Sequence, residues 1–288
     1  MELLQLKYFL TVARTEHMTN AAKELHIVQP ALSKTISLLE KELGFNLFDR
    51  RGKYINLNEN GKFFFSRVNE SLSILDDSIK ELKDKNCKIQ KEIKVLVLSG
   101  SKLITDIIIE FKKIHPEIIL NTTQNLYNTS SYTHDLCIYS SEEFQTDKDS
   151  ILLLKENILL GVPIDHPLSS KKSIKLSEVH NEKFITLNHG NFKKITDSFC
   201  KSAGFTPNIT FESNNSYVVR NLIQAGQGIS FIPEKSWCFD KDNSIKMIKI
   251  TSPKCVRNIN LSIPNDRYLS KEVILFKDFL INSLKNLN

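Results

Sequence analysis

At 288 residues, 41% of them hydrophobic and 25% charged, the chain has an ordinary globular make-up and exceeds the size at which one core keeps growing, so two or three domains are expected. A net charge of +6 and a pI near 8.9 permit a polyanionic partner without demanding one. No run of eighteen apolar residues occurs, MELLQLKYFL carries an acid at Glu2 and has no long apolar core, and Cys87, Cys137, Cys200, Cys238 and Cys255 form no C-x-x-C pair. A membrane span, a signal peptide, a disulfide framework and a zinc site are therefore not expected. The expected location is the cytoplasm, with the thiols reduced or, alternatively, two of them forming a redox-sensing pair.

Leu3, Leu6, Phe9, Leu10 and Ala13 lie at helical spacing and predict a first helix. Residues 19–44 predict two short helices joined by a tight turn at His26-Ile27-Val28. Ala21, Ala22 and Leu25 form the inner face of one, and Leu32, Ile36, Leu39 and Leu43 that of the other. Thr19 is read as an N-cap, Pro30 fits the first turn of the following helix, and Gly44 ends it. Adjacent alanines let two helix backbones approach closely, as a helix-turn-helix requires. The outer face of the second helix carries Gln29, Ser33, Lys34, Ser37 and Lys41, groups suited to base edges and phosphates. An ordinary amphipathic helix pair would show the same periodicity.

Phe45, Leu47 and Phe48 are expected to anchor the core, and residues 50–57 read as a hairpin whose tip carries Arg50, Arg51 and Lys53. Such a tip is either a solvated basic turn or a wing that reaches phosphates. Residues 1–60 hold eight Lys/Arg against seven Asp/Glu, so placement of charge matters here more than its sum. Asn58 is expected to cap a long helix over 60–86. In that helix Phe64, Val68, Leu72, Leu75, Ile79 and Leu82 recur near every 3.5 residues, the pattern of a coiled-coil seam. Either a second copy of the chain or its own C-terminal domain could cover the stripe.

After a polar hinge at 84–92, strands and helices alternate. Strands are predicted at 93–97, 118–122, 135–139, 151–154, 158–162, 184–187, 209–211, 229–232, 245–250 and 258–263, with helices at 103–114, 192–202, 216–225 and 271–284. The pattern predicts α/β units on a largely parallel sheet. Seven histidines form no H-E-x-x-H or close metal pair, and G-x-S-x-G, P-loop and G-x-G-x-x-G motifs are lacking. No enzyme activity, cofactor or metal is expected.

From Leu6 to Arg50 the core AA-x-x-L-H-x-x-QPALS, the helix end LE-x-ELG and the tetrapeptide LFDR stand in the order found in LysR-type transcriptional regulators, whose N-terminal domain this segment resembles. Weaker agreement continues through F-x-x-x-H-P at 111–116, HDLCI at 134–138, G-x-P-x-x-HPL at 161–168 and AGQGISFIP at 225–233. The resemblance implies a multidomain chain: an all-α winged helix-turn-helix at 1–59, a linker (dimerisation) helix at 60–88 and an effector-binding domain at 93–288. The last would be an α/β bilobal fold like periplasmic binding proteins, lobe I about 93–162 and 265–288, lobe II about 163–264. Double-stranded promoter DNA would then meet Thr19, Asn20, Gln29, Pro30, Ser33, Lys34, Ser37, Arg50, Arg51 and Lys53, with the 64–82 seam joining two copies into a homodimer and, with further contacts, a homotetramer.

In such bilobal folds a small ligand sits near strand carboxyl ends and helix N-termini. Ser99, Gly100 and Ser101, then Asn188 and His189, then Glu212, Ser213 and Asn214 occupy such places, although each could equally serve as a helix cap. Glu212 and the lack of an evident arginine speak against an anionic ligand. Two departures from the family pattern stand out. Val28 replaces the usual Ser or Thr before Gln29, and the chain between Pro116 and Asp135 is several residues short. The second keeps open a regulator whose C-terminal domain senses no small molecule; a binding protein for transported solutes is the remote alternative.

Overall fold

The computed structural model describes residues 1–51, 54–85, 91–124, 134–143, 150–188, 190–237, 244–263, 268–285 and 287. Lys53, His189, Cys87, Cys238 and the short segment at 125–133 lie outside them. The chain divides into two compact units, the first built on Met1–Ile89 and the second on Gln90–Gln124, Asp135–Asn265 and Lys271–Asn288.

The first unit opens with α1 (Leu3–Thr15), α2 (Met18–Glu24) and α3 (Gln29–Leu43). Ala21, Ala22, Leu32, Ile36 and Leu39 are buried with Leu6, Phe9, Val12 and Ala13 in one core, as the periodicity requires. Leu3, by contrast, is 55% exposed. Thr19 does not cap α2. The helix starts at Met18, and His17 is its N-cap, the imidazole Nδ1 accepting the Asn20 N–H at 3.4 Å. Phe45 is not a core anchor either. Gly44 closes α3 at φ 75° and turns the chain so that Phe45 is 64% exposed, while Leu47 and Phe48 enter the core.

The hairpin is present: β1 (Phe48–Arg51) pairs antiparallel with β2 (Tyr54–Leu57), Phe48 opposite Leu57 and Arg51 opposite Tyr54. Glu40 anchors its base, one carboxylate oxygen accepting the N–H groups of Leu47 at 2.8 Å and Phe48 at 3.3 Å. Asn58 caps the next helix as expected, its Oδ1 accepting the Gly61 N–H at 2.9 Å. That helix, α4 (Glu59–Lys85), runs 27 residues, about 40 Å at 1.5 Å per residue. Its first half belongs to the N-terminal core: the tilted rings of Phe64 and Phe9 have centroids 5.3 Å apart, Val68 is buried, and Leu72 packs beside them. Farther along, Leu75, Ile79 and Leu82 are 47%, 51% and 61% exposed, so the continuous seam resolves into an inward half and an outward half.

Val28, at the N-cap of α3, makes no side-chain bond to the helix, as its side chain dictates. Val28→Ser is expected to add that bond and raise stability by roughly 0.5–2 kcal/mol. Thermal unfolding of the N-terminal unit measures it; an unchanged or lower Tm would mean the start of α3 is held in another way.

The second unit contains β3 (Glu92–Val97), α5 (Ser101–Ile114), β4 (Ile119–Thr123), β5 (Leu136–Ser141) and a long β6 (Ser150–Pro163). There follow β7 (Ser173–Lys175), β8 (Lys183–Leu187), α6 (Gly190–Ser202), β9 (Asn208–Ser213) and α7 (Ser216–Gln224), then β10 (Ser230–Pro233), β11 (Ile245–Ser252), β12 (Val256–Ser262) and α8 (Lys271–Lys285). Two expectations need correction. The strands expected at 151–154 and 158–162 are one strand, β6, whose first half pairs with β12 and whose second half pairs with β10 and β11. The sheet is also mixed rather than largely parallel, because β12 runs antiparallel to both β5 and β6. Among the described residues, parallel pairing joins β3 to β4 and β5, β8 to β9, and β7 to β11, with one isolated parallel bridge between Phe184 and Ile229. A strand that serves two sheet regions in turn makes two lobes with a shared spine. The final helix returns to the first lobe, Phe276 of α8 meeting Phe111 of α5 edge-on at 5.0 Å.

Candidate DNA-reading surface and effector site

On α3 the buried row Leu32, Ile36 and Leu39 leaves an opposite row to solvent. Gln29, Pro30, Lys34 and Ser37 are exposed and Ser33 is half-buried; Thr19 and Asn20 on α2 are exposed beside them. These polar groups stand outside the core, Lys34 among them. The backbone of Arg50 and Arg51 lies in β1, the outgoing strand of the hairpin. The result is a short helix with a hydrogen-bonding outer face beside a basic hairpin.

In the second unit the described residues of the expected effector site stand at two places, the carboxyl end of β3 and the ends of β8 and β9. Ser99, Gly100 and Ser101 leave the carboxyl end of β3, where the Leu98 N–H bonds the Ile138 carbonyl of β5 at 2.8 Å. Gly100 is the N-cap of α5 at φ 68°; a Cβ there would lie 3.2 Å from Ile259 Cδ1 and in the left-handed region that favours glycine. Asn188 and Ser213 end neighbouring strands, the Asn188 N–H bonding the Ser213 carbonyl at 2.9 Å. α6, which follows Asn188, bonds to β5 and the residue after it: Asn191 Nδ2 donates to the Ser140 carbonyl at 2.9 Å, and Ser198 Oγ donates to Glu142 at 2.7 Å.

Some of these groups are already engaged. Ser213 Oγ accepts the Asn215 N–H at 3.1 Å, and Asn215 Oδ1 caps α7 through the Tyr217 N–H at 2.8 Å. Glu212 faces Lys193 of α6 at 3.6 Å, and Lys193 also faces Asp197 at 3.5 Å. Its charge is thus partly countered, and the objection to an anionic ligand weakens.

Sequence reasoning missed the strongest polar feature of this region. Arg257 on β12 and Glu156 on β6 are 1% and 2% exposed, with Nε and Oε1 at 2.9 Å. The other Glu156 oxygen accepts the N–H groups of Lys235 and Ser236, each at 2.9 Å, while Ser236 Oγ lies 2.7 Å from Glu156 Oε1 and from Arg257 Nη2. The guanidinium sits 4.8 Å from the centre of the Phe192 ring on α6. Burial draws the Arg257 pKa below its ordinary value, and the Glu156 carboxylate opposes that shift. The signal in the sequence was one acid inside the apolar run 150–163 and one base inside 255–263. The described thiols are chemically quiet: burial pushes Cys137 up to about 11 and Cys200 and Cys255 up to about 12.

A winged helix-turn-helix followed by a long helix and a bilobal α/β domain defines a ligand-responsive DNA-binding protein. Residues 3–62 match the family model described as a bacterial regulatory helix-turn-helix protein of the lysR family, and residues 92–285 match the LysR substrate-binding domain. The HTH-type transcriptional regulator YybE of Bacillus subtilis is 35% identical over 98% of this chain and 99% of its own. The transcriptional dual regulator GltC of the same organism is 28% identical over 100% and 99%. Among solved structures, a full-length OxyR variant of Pseudomonas aeruginosa superposes with a TM-score of 0.65 at 23% identity over 99% of this chain and 95% of its own. The effector-binding domain of QuiR in complex with shikimate gives 0.57 at 22% identity over 69% of this chain and 99% of its own. The chain belongs to the LysR family of transcriptional regulators. It is a regulator rather than an enzyme, with a DNA-binding domain and an effector-binding domain. No helix among the described residues is long and apolar enough to cross a membrane.

Proposed function

We propose that the chain works in the cytoplasm as a dimer, or a tetramer built from dimers, that reads a double-stranded operator through Gln29, Pro30, Ser33, Lys34 and Ser37. Thr19, Asn20, Arg50, Arg51 and Lys53 are assigned to the phosphate backbone. A small-molecule effector is placed among Ser99, Gly100, Ser101, Asn188, His189, Glu212, Ser213 and Asn214, and changes how firmly the operator is held. The domain limits are those of the sequence, 1–59, 60–88 and 93–288. The observation that carries the DNA assignment is the two-faced α3: three fully buried aliphatics on one side, and on the other exposed groups that bond bases and phosphates.

Fluorescence anisotropy on the DNA upstream of the chain's own gene tests it. Binding should weaken steeply with salt, and Gln29→Ala and Lys34→Ala should each reduce affinity about 5- to 100-fold, as loss of one good base or phosphate contact does. Both sites are exposed, so circular dichroism should be unchanged. Full affinity in both variants would show that α3 is not the reading helix.

A further inference from the structure

The start of α3 carries an apolar side chain at a place where the helix would gain from a polar one. Val28 is the N-cap residue, at φ −78° and ψ 137°, and its side chain makes no bond to the helix. Its carbonyl is engaged, accepting the N–H groups of Ala31 at 3.0 Å and Leu32 at 3.3 Å. The backbone is thus fixed while the side chain is left to solvent. At 68%, Val28 is the most exposed large apolar side chain among the described residues. Ile27, one residue before it, packs against the core instead, so the exposure is not a property of the whole turn.

Gln29, Pro30 and Ala31 follow, all exposed. Gln29 therefore has carbon on both sides, Val28 before it and Pro30 and Ala31 after it, and none of the four positions carries a charge. Such a surface is poorly made for phosphate, which is held by cations, hydroxyls and N–H groups; Pro30 lacks even the N–H. It is better made for base edges. A glutamine pairs bidentately with N6 and N7 of adenine in the major groove, and the 5-methyl of thymine is the apolar group there that apolar side chains contact. A helix-turn-helix turns the N-terminal residues of its second helix toward those edges. Val28, branched at Cβ, offers two methyl groups with little rotamer freedom to lose.

On the footing that α3 reads duplex DNA, we propose that Val28 is a specificity-determining residue that packs its methyl groups on the 5-methyl of a thymine beside the base pair read by Gln29. A serine at this position would cap the helix but leave that methyl without an apolar partner.

Anisotropy with the full chain on its upstream operator tests this, thymines of the protected region being replaced one at a time by deoxyuridine, which lacks only the 5-methyl. At one thymine per half-site the replacement should weaken wild-type binding about 3- to 10-fold, near the effect of burying one methyl group. Val28→Ser should bind the thymine and deoxyuridine operators alike. Val28→Thr, which keeps one γ-methyl, should discriminate less than the wild type and more than Val28→Ser. Because serine and threonine both cap helices, neither variant is expected to unfold, and circular dichroism checks this. If no deoxyuridine position weakens wild-type binding, or if the loss at every such position is as large in Val28→Ser, the proposal is overturned. Gln29→Ala runs beside them as the control. Full affinity in that variant would mean that the DNA-reading assignment has failed, and the role of Val28 with it; weakened binding there without coupling between residue 28 and the methyl would remove the role of Val28 alone.

Discussion

Glu156→Ala is expected to lower the unfolding free energy of the C-terminal unit by roughly 3–5 kcal/mol, the loss seen when one member of a buried ion pair is removed. The substitution strands a guanidinium that is 1% exposed, together with the N–H groups of Lys235 and Ser236 and the Ser236 hydroxyl. Arg257→Met should cost a similar amount, because it strands the carboxylate. The pair taken together should cost less than the two separate losses summed, since Glu156→Leu with Arg257→Met removes both charges at once. Urea unfolding followed by tryptophan fluorescence reads this unit cleanly. The chain has one tryptophan, and that residue, Trp237, packs on Phe192 at 5.4 Å, beside the network. Strict additivity in the double variant would mean that Glu156 and Arg257 act independently, and the coupled network would have to be abandoned.

The position of this pair gives it a role beyond stability. It lies where β6 leaves β12 for β10, Asn157 being opposite Val256 and Ile158 opposite Pro233. Through Phe192 it touches the first turn of α6, and through Ser236 it reaches the segment beside Gly100. It thus ties the first turn of α6 and the segment at 235–236 to the place where β6 leaves β12. Variants that loosen it are expected to blur any effector response even where operator binding survives.

How much of this is legible in the sequence depends on how local the physics is. The helix-turn-helix is readable because burial of Ala21, Ala22, Leu32, Ile36 and Leu39 follows from spacing within a few residues, and a family wording covers the same stretch. Thr19 only looks like a cap, because His17, also able to accept an N–H, stands two residues earlier. Phe45 only looks like an anchor, because its hydrophobicity says nothing about which way a chain leaves Gly44. The two strands within 150–163 cannot be recognised as one, since Lys155, Glu156 and Asn157 look like a turn. In the fold they pass from one lobe to the next, and Glu156 is neutralised by Arg257, a partner 101 residues away. Pairing at that distance leaves no local trace. The candidate effector groups are legible as strand ends, whereas the bonds from Asn191 and Ser198 of α6 to Ser140 and Glu142 join residues 51 and 56 positions apart and leave no local trace.

The same distinction between local and non-local burial decides where to cut the dimer. The seam on α4 reads as one stripe, yet Leu72 and the residues before it serve the chain's own N-terminal core, and Leu72→Asp would damage folding and association together. Ile79 is 51% exposed, one turn beyond Leu75, so Ile79→Asp should leave the folded unit intact. If a second copy covers this outward half, the variant should sediment as a monomer, since two facing aspartates would replace a buried aliphatic pair. Operator affinity should then fall about 10²- to 10⁴-fold, because the second half-site would no longer be bound intramolecularly. Leu75→Asp should behave alike. Sedimentation velocity and anisotropy on the same samples provide the check. A variant that remains a dimer would move the association surface off α4, whereas a monomer with undiminished affinity would show that one recognition helix suffices.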